Sequence, residues 1–150
     1  MPCRLDAGRG ATRLLPVLLT VVVCGCAGPQ PALSPDAGLR CVDDSPACIA
    51  QRQSTLRQLV ASQDRGWVKA PASAEAYASG VRLFALKTKK GDLNCEELRH
   101  GHREAQAAPG VLRGPQGKSL SPAQISRGIM LAAEVSKELS REIGRRCKKA

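Results

Sequence analysis

The scarcity of aromatic side chains most constrains what this chain can fold into. Trp67, Tyr77 and Phe84 are the only aromatic residues among 150. Large aromatic side chains usually dominate the energetics of a core, so this core must be built from Leu, Ile, Val and Ala. Such a core suits packed helices better than a β-sandwich. The sequence therefore predicts an all-α fold, a small three- or four-helix bundle forming a single domain.

The amino-terminal residues have the layout of an export signal. Residues 1–13 carry three arginines, and residues 14–23 form an apolar run. A basic head followed by a short apolar stretch is typical of a secretory signal peptide. The run is too short for a permanent transmembrane helix, which needs about 20 apolar residues.

The residues after the apolar run carry a second signal. Val23, Cys24, Gly25 and Cys26 place an apolar residue three positions, and a small residue one position, before a cysteine. This segment resembles the lipobox of bacterial lipoproteins. The resemblance implies a lipid on the sulfur of Cys26, removal of the signal peptide 1–25, and acylation of the new amino terminus. Two or more acyl chains anchor a protein stably, whereas one chain binds a membrane only reversibly.

The residue after Cys26 bears on which membrane holds the anchor. In enterobacterial lipoproteins an Asp at this position causes retention in the inner membrane, and here the residue is Ala27. By this resemblance we expect a cell-envelope protein on the periplasmic face, with the outer membrane favoured over the inner. The alternative is an ordinary signal peptide cut near Ala27, which would give an unanchored, secreted helical protein.

The seven cysteines fit this processing scheme. Cleavage removes Cys3 and Cys24, lipidation occupies Cys26, and an even number remains in a compartment that permits disulfide bonds. The remaining cysteines are Cys41, Cys48, Cys95 and Cys147. Four cysteines allow three connectivities, among which sequence alone does not decide. We favour a Cys41–Cys48 pair, which closes a turn-rich loop, and a Cys95–Cys147 pair, which would link two antiparallel helices.

Four helices are predicted behind a flexible tether. Residues 27–40 contain three prolines and two glycines, so we expect an extended tether between Cys26 and a helical domain of residues 41–150. Apolar periodicity and capping residues place the helices at residues 45–63, 73–89, 92–110 and 122–147. The last helix has the strongest signal, because Ser121 and Gln124 form a capping-box pattern.

No catalytic constellation is evident, so we expect a non-enzymatic protein without a cofactor. Glu96, His100 and Glu104 recur every four residues, which could place two carboxylates and an imidazole on one helix face. They support the alternative of an envelope enzyme or metal-binding protein, although interleaved arginines favour a solvated polar face. His102 has no nucleophile that can be placed beside it. The zinc and haem motifs CxxC and CxxCH are absent from the sequence.

The formal net charge of +10 has two interpretations. The basic clusters at residues 87–90 and 145–149 lie near predicted helix ends, where cations complement the helix dipole. They could instead contact phospholipid headgroups or lipopolysaccharide. Nucleic acid is not expected, because the compartment is wrong and few aromatic side chains can stack on bases. We expect a membrane-anchored protein that binds another envelope component, either a protein or an anionic polymer.

Overall fold

The described part of the chain, residues 36–147 of a computed structural model, is built from helices without strands. Seven α-helices follow one another: α1 (Ala37–Arg40), α2 (Pro46–Ala61), α3 (Gly66–Lys69), α4 (Ala74–Ser79), α5 (Val81–Lys89), α6 (Cys95–Arg113) and α7 (Pro122–Arg146), with a 3-10 turn at Pro115–Gly117 before α7. The predicted all-α bundle is confirmed, with more helices than the three or four expected. The signal peptide, Cys26 and the tether before Asp36 lie outside the described residues.

The two longest helices, α6 and α7, form the centre of the fold. Fully buried leucines from α5 and α6, together with alanine, valine and leucine side chains of α7, form one apolar cluster: Leu83, Leu86, Leu98, Leu112, Ala132, Val135 and Leu139. Full burial of one leucine or valine side chain contributes about 1.5–3 kcal/mol to the stability of the fold. The core is therefore aliphatic, as the shortage of aromatic residues predicts. None of the described helices combines the length and the apolar character needed to cross a bilayer.

Two disulfide bonds fix the ends of the bundle. Cys41 joins Cys48 in the first turn of α2, with a Cα–Cα distance of 5.3 Å. Cys95 at the start of α6 joins Cys147 directly after α7, with a Cα–Cα distance of 5.7 Å. These are the pairs favoured from the sequence. The second bond brings opposite ends of α6 and α7 together, so the two helices run antiparallel.

The predicted tether is wrong for its last residues, which belong to the fold. Helix α1 packs on α2, and the backbone N–H of Gly38 donates to Thr55 Oγ1 at 3.1 Å. A Cβ at position 38 would lie 2.6 Å from the carbonyl oxygen of Gln51, so this close approach requires glycine. The three prolines that suggested an extended chain all precede Asp36, and composition averaged over 27–40 concealed the difference.

The second predicted helix, residues 73–89, is two helices in the structure. Gly80 ends α4 and precedes α5 with a φ of +76°. Glycine adopts this left-handed conformation without the steric cost of a Cβ. The resulting change of direction lets α4 bury Tyr77 while α5 buries Leu83 and Leu86.

The third predicted helix has the wrong bounds at both ends. It begins after Asn94 rather than Asp92, because the Asn94 side chain accepts from the Glu97 backbone N–H while the Glu97 carboxylate accepts from the Asn94 N–H. It also passes through Pro109, where it was expected to end. The missing N–H at Pro109 costs one helical hydrogen bond, but continuing the helix buries Leu112 completely.

The first and last predicted helices match the structure closely. Ser45 caps α2 by accepting from the Cys48 backbone N–H at 3.2 Å. Ser121 and Gln124 form both hydrogen bonds of the capping box that begins α7. In both cases the cap, the proline that follows it and the apolar spacing indicate the same boundary, which is why the sequence placed it correctly.

Candidate functional site

The three side chains considered as metal ligands do not converge. Glu96 is exposed and pairs with Lys69 at 2.8 Å, which lowers the pKa of Glu96 and raises the pKa of Lys69. Glu104 is buried and bonded to an arginine. His100 is half-buried, and its Nδ1 has no hydrogen-bond partner among residues 36–147. His102, also half-buried, has no side-chain hydrogen bond in that range. The proposed trio is therefore split between different environments.

One group of potential metal ligands does come together in the part of the chain that the structure describes. Cys41, Asp43 and Cys48 place one ligand atom each within 4.8 Å of one another. Both cysteine sulfurs are consumed in the disulfide bond between them. A disulfide offers no thiolate, which is the form of cysteine that binds metal. The two cysteine sulfurs lie close together because they are bonded to each other, so this group is not a candidate metal site.

The partner of Glu104 is Arg82, a buried arginine on α5. Arg82 Nε lies 2.5 Å from Glu104 Oε1, and Arg82 Nη2 lies 2.8 Å from Glu104 Oε2. Nη2 also donates to the carbonyl oxygens of Val68 and Ala70. The side chains of Arg82 and Glu104 are 4% and 5% exposed. The pair thus joins α5, α6 and the end of α3 inside the bundle.

In the part of the chain that the structure describes, most cations of the two basic clusters have acidic neighbours, while Lys148 and Lys149 lie outside the described residues. Lys87 contacts Glu134 at 2.6 Å, Lys90 pairs with Glu138, and Arg145 and Arg146 both contact Glu142. Hydrogen bonds from these cations lower the pKa values of Glu138 and Glu142. Arg146 also donates to the carbonyl oxygens of Lys90, Gly91 and Leu93. Lys87 and Lys90 thus link the end of α5 to α7, and Arg146 links the segment between α5 and α6 to the end of α7.

A cavity of about 290 Å³ opens beside Trp67, where α1, α2, α4 and α5 meet. We call it the Trp67 cavity. Its walls combine apolar side chains with ionic groups: Asp36, Leu39, Arg40, Leu59, Trp67, Ala70, Pro71, Ser73, Ala76 and Arg82. The indole Nε1 of Trp67 is buried and has no hydrogen-bond partner among the described residues.

A second concave surface surrounds Phe84, on the side of α5 between α2 and α7. Two adjoining depressions of about 300 and 180 Å³ share Arg52, Ser79 and Phe84 as walls. We call them together the Phe84 groove. Its other apolar walls include Ile49, Leu56, Val81 and Leu131. Phe84 is 44% exposed, although its neighbours on α5 from Val81 to Leu86 are otherwise buried.

Two arginines border the Phe84 groove and tie it to the Cys41–Cys48 loop. Arg127 of α7 contacts Asp44 at 2.8 Å, and Arg52 of α2 contacts the same carboxylate at 3.4 Å. The hydrogen bond from Arg127 is the main cause of a lowered pKa at Asp44. Arg52 also donates to the Asp43 carbonyl oxygen at 2.7 Å. The disulfide loop therefore forms a fixed rim beside the groove.

Neither concave surface was predicted from the sequence. The signal for Arg82 was available, since this arginine lies within the apolar stripe of a predicted helix. The sequence does not indicate the partner of Arg82, because Glu104 lies 22 positions further along the chain. Phe84 lies in the predicted helix of residues 73–89, and the sequence does not indicate that its side chain is 44% exposed.

Comparison of this chain with protein-family models, with curated proteins and with solved structures finds no match.

Proposed function

We propose that this chain is a lipid-anchored cell-envelope protein without catalytic activity, whose helical domain binds an acidic segment of another envelope protein. The anchor is proposed from the lipobox-like residues Val23–Cys26. The two disulfide bonds support it, because they consume every cysteine after Cys26 and suit an oxidising compartment. The periplasmic face, with the outer membrane favoured, follows from the same resemblance.

The exposed ring of Phe84 is the observation that carries the binding function. Its exposed fraction of 44% contrasts with buried Tyr77 and half-buried Trp67 in a chain with very few aromatic residues. Aromatic side chains are enriched among the residues that contribute most to binding at protein interfaces. Ile49, 38% exposed, extends the apolar surface along α2. An apolar patch rimmed by polar side chains is typical of an interaction site.

Charge complementarity indicates an acidic partner. Arg52 and Arg127 line the groove and share a single carboxylate, that of Asp44, which is not itself among the walls. Arg127 is 44% exposed, so its guanidinium can reach a partner carboxylate while keeping its contact with Asp44. Arginine suits this role because its planar fork binds carboxylates with defined geometry. A second copy of this chain, which stays strongly basic after removal of residues 1–25, is a poorer occupant.

Photo-crosslinking at position 84 tests the binding function. Phe84 is replaced by the photoreactive benzoylphenylalanine in cells of the native host, and adducts are identified by mass spectrometry. We expect one discrete adduct with an acidic, apolar segment of another envelope protein. The adduct should be lost in Arg127→Glu and kept in the control Arg113→Glu, an exposed arginine at the end of α6 outside the groove. An adduct of the chain with itself or with lipid, or the absence of any adduct, would overturn the proposal.

The structure gives no support to the alternative of a metal-dependent enzyme. Glu104 is bonded through both carboxylate oxygens to Arg82, and Glu96 is paired with Lys69. A metal ion would have to displace both cations and move two side chains. We therefore do not propose a metal or cofactor site on α6.

A further inference from the structure

Helices α6 and α7 carry more cations than their carboxylates can pair. Every carboxylate on the two helices forms an ion pair with a lysine or arginine: Glu96, Glu97, Glu104, Glu134, Glu138 and Glu142. Several exposed cations of the same helices form no ion pair within residues 36–147: Arg99, Arg103, Arg113, Lys137 and Arg141. The outward sides of α6 and α7 therefore carry positive charge that no described carboxylate pairs with.

Most of these cations form one patch. It consists of Arg99, Arg103, Lys137 and Arg141, and we call it the α6–α7 basic patch. Gly101 of α6 packs against Leu139 of α7, since a Cβ at Gly101 would lie 3.3 Å from Leu139 Cδ1. The patch cations lie two positions before or after these residues. Because the helices run antiparallel, Arg99 is level with Arg141, and the other pair is level in the same way.

One acidic side chain close to the patch is engaged elsewhere. The Glu96 carboxylate accepts from Lys69 at 2.8 Å, which is the main cause of the lowered pKa of Glu96, and the charge of Arg103 contributes less. Lys69 thus compensates the charge of this carboxylate. The patch keeps its excess of positive charge.

The dimensions of the patch favour a ligand with several anionic groups. Cβ atoms four residues apart on one helix face are separated by about 5–6 Å, and the axes of packed helices by about 8–10 Å. The four charges therefore form two short rows, one on each helix. Several anionic groups in succession match this area better than a single one does.

The patch contains no exposed large apolar side chain. Ile49, Phe84 and Met130, the exposed large apolar residues of the described chain, lie outside it. A protein partner usually contacts an aromatic or apolar anchor, and binding to a bilayer surface uses buried apolar area as well as charge. A surface that offers charge alone favours a hydrophilic polyanion. Arginine suits such a ligand because its planar fork matches a carboxylate.

We propose that the α6–α7 basic patch binds an acidic polysaccharide, whose carboxylate groups repeat along the polymer and pair with the two rows of cations. The patch and the Phe84 groove have no residue in common, so failure of one proposal leaves the other standing. Binding involves no covalent step.

Polygalacturonate and its fully methyl-esterified form are matched probes, because they share one backbone and differ in the charge on each sugar. The purified full chain is titrated with each polymer by calorimetry. We expect saturable binding of polygalacturonate that weakens as the NaCl concentration rises, because salt screens exposed charges. The ester should not bind. Equal affinity for the two polymers, or no binding of either, would overturn the proposal.

Matched double variants separate the patch from the net charge of the chain. Arg99→Glu/Lys137→Glu reverses one cation in each row and should weaken polygalacturonate binding by about tenfold or more. Arg57→Glu/Arg113→Glu makes the same change in net charge at exposed positions outside the patch, and should weaken binding by less than about threefold. Circular dichroism verifies the folding of both.

Two further results would overturn the assignment. Equal losses in the two double variants would show a response to net charge alone. The second is binding to phosphatidylglycerol vesicles that the patch variant abolishes, without binding to polygalacturonate, which would assign the patch to a membrane surface.

Discussion

Arg82 on α5 and Glu104 on α6 form a two-point ion pair inside the bundle, with Nε–Oε1 and Nη2–Oε2 distances of 2.5 and 2.8 Å. Both charges have been removed from water, which costs several kcal/mol per ion before their attraction is counted. The pair is tolerated because every carboxylate oxygen has a donor and Nη2 also reaches two backbone carbonyls. It therefore fixes how α5, α6 and the end of α3 meet.

We predict a large cost for removing one partner of this pair. Glu104→Ala leaves the Arg82 charge buried without a counter-charge and should lower the free energy of unfolding by about 3–5 kcal/mol. Urea denaturation measures this change. The matched control is Glu96→Ala on the same helix, whose pair with Lys69 is exposed and screened by solvent and should contribute little to stability. Equal losses in the two variants would contradict the assignment.

The two disulfide bonds should differ in their contribution to stability. Cys95–Cys147 closes a separation of 52 residues and Cys41–Cys48 a separation of 7. Since a longer loop restricts the unfolded chain more, replacing the first pair by alanines should cost about 4 kcal/mol and replacing the second about 2 kcal/mol. Chemical unfolding of the two double variants tests the order. A larger loss from the Cys41–Cys48 pair would show that native contacts of its loop outweigh chain entropy.

Tyr77 provides a pH test of the core. Burial, followed by the nearby Glu104 charge, raises the pKa of Tyr77 to about 12. Because the pKa of Tyr77 in the folded chain lies above the unfolded value of 10.0, keeping this side chain protonated favours the folded state. The stabilisation is complete below pH 10.0 and is lost as the pH rises towards about 12. Tyr77 is the only tyrosine, so phenolate absorbance follows it alone. A midpoint near the unfolded value in a chain that is still helical would contradict the buried environment, and Tyr77→Phe should remove the pH-dependent loss.

How far the fold could be predicted depended on whether local signals agreed. At α7, the Ser121 cap, Pro122 and the apolar spacing all indicated the same start, and the helix was correctly placed. At Gly80 they conflicted, because the apolar spacing continues across a glycine that ends one helix and begins another. Pro109 gave the opposite error. The third helix was predicted to end there, but it continues because burial of Leu112 outweighs a single lost hydrogen bond. Tertiary packing determines where the helix ends in both places, and this packing cannot be read from the neighbouring residues alone.

The candidate sites were less predictable than the helices. The disulfide pairs could be predicted because the number of cysteines and the order of the helices can both be read from the sequence. The Trp67 cavity depends on α1, which lies inside the predicted tether, and on an ion pair between residues 22 positions apart. The Phe84 groove depends on the direction of α5 after Gly80. Each site is made by contacts between separate elements, so no pattern within one segment indicates it.

Metabolic labelling with a palmitate analogue, comparing the wild-type chain with Cys26→Ser in a bacterial host, tests the central claim most directly. The account predicts label on the wild-type protein, which fractionates with membranes, and no label on Cys26→Ser. A matched Cys24→Ser variant should keep the label, because Cys24 lies in the segment removed by cleavage. Absence of label from the wild type, with a processed domain in the soluble fraction, would contradict the lipid anchor and leave a secreted helical protein.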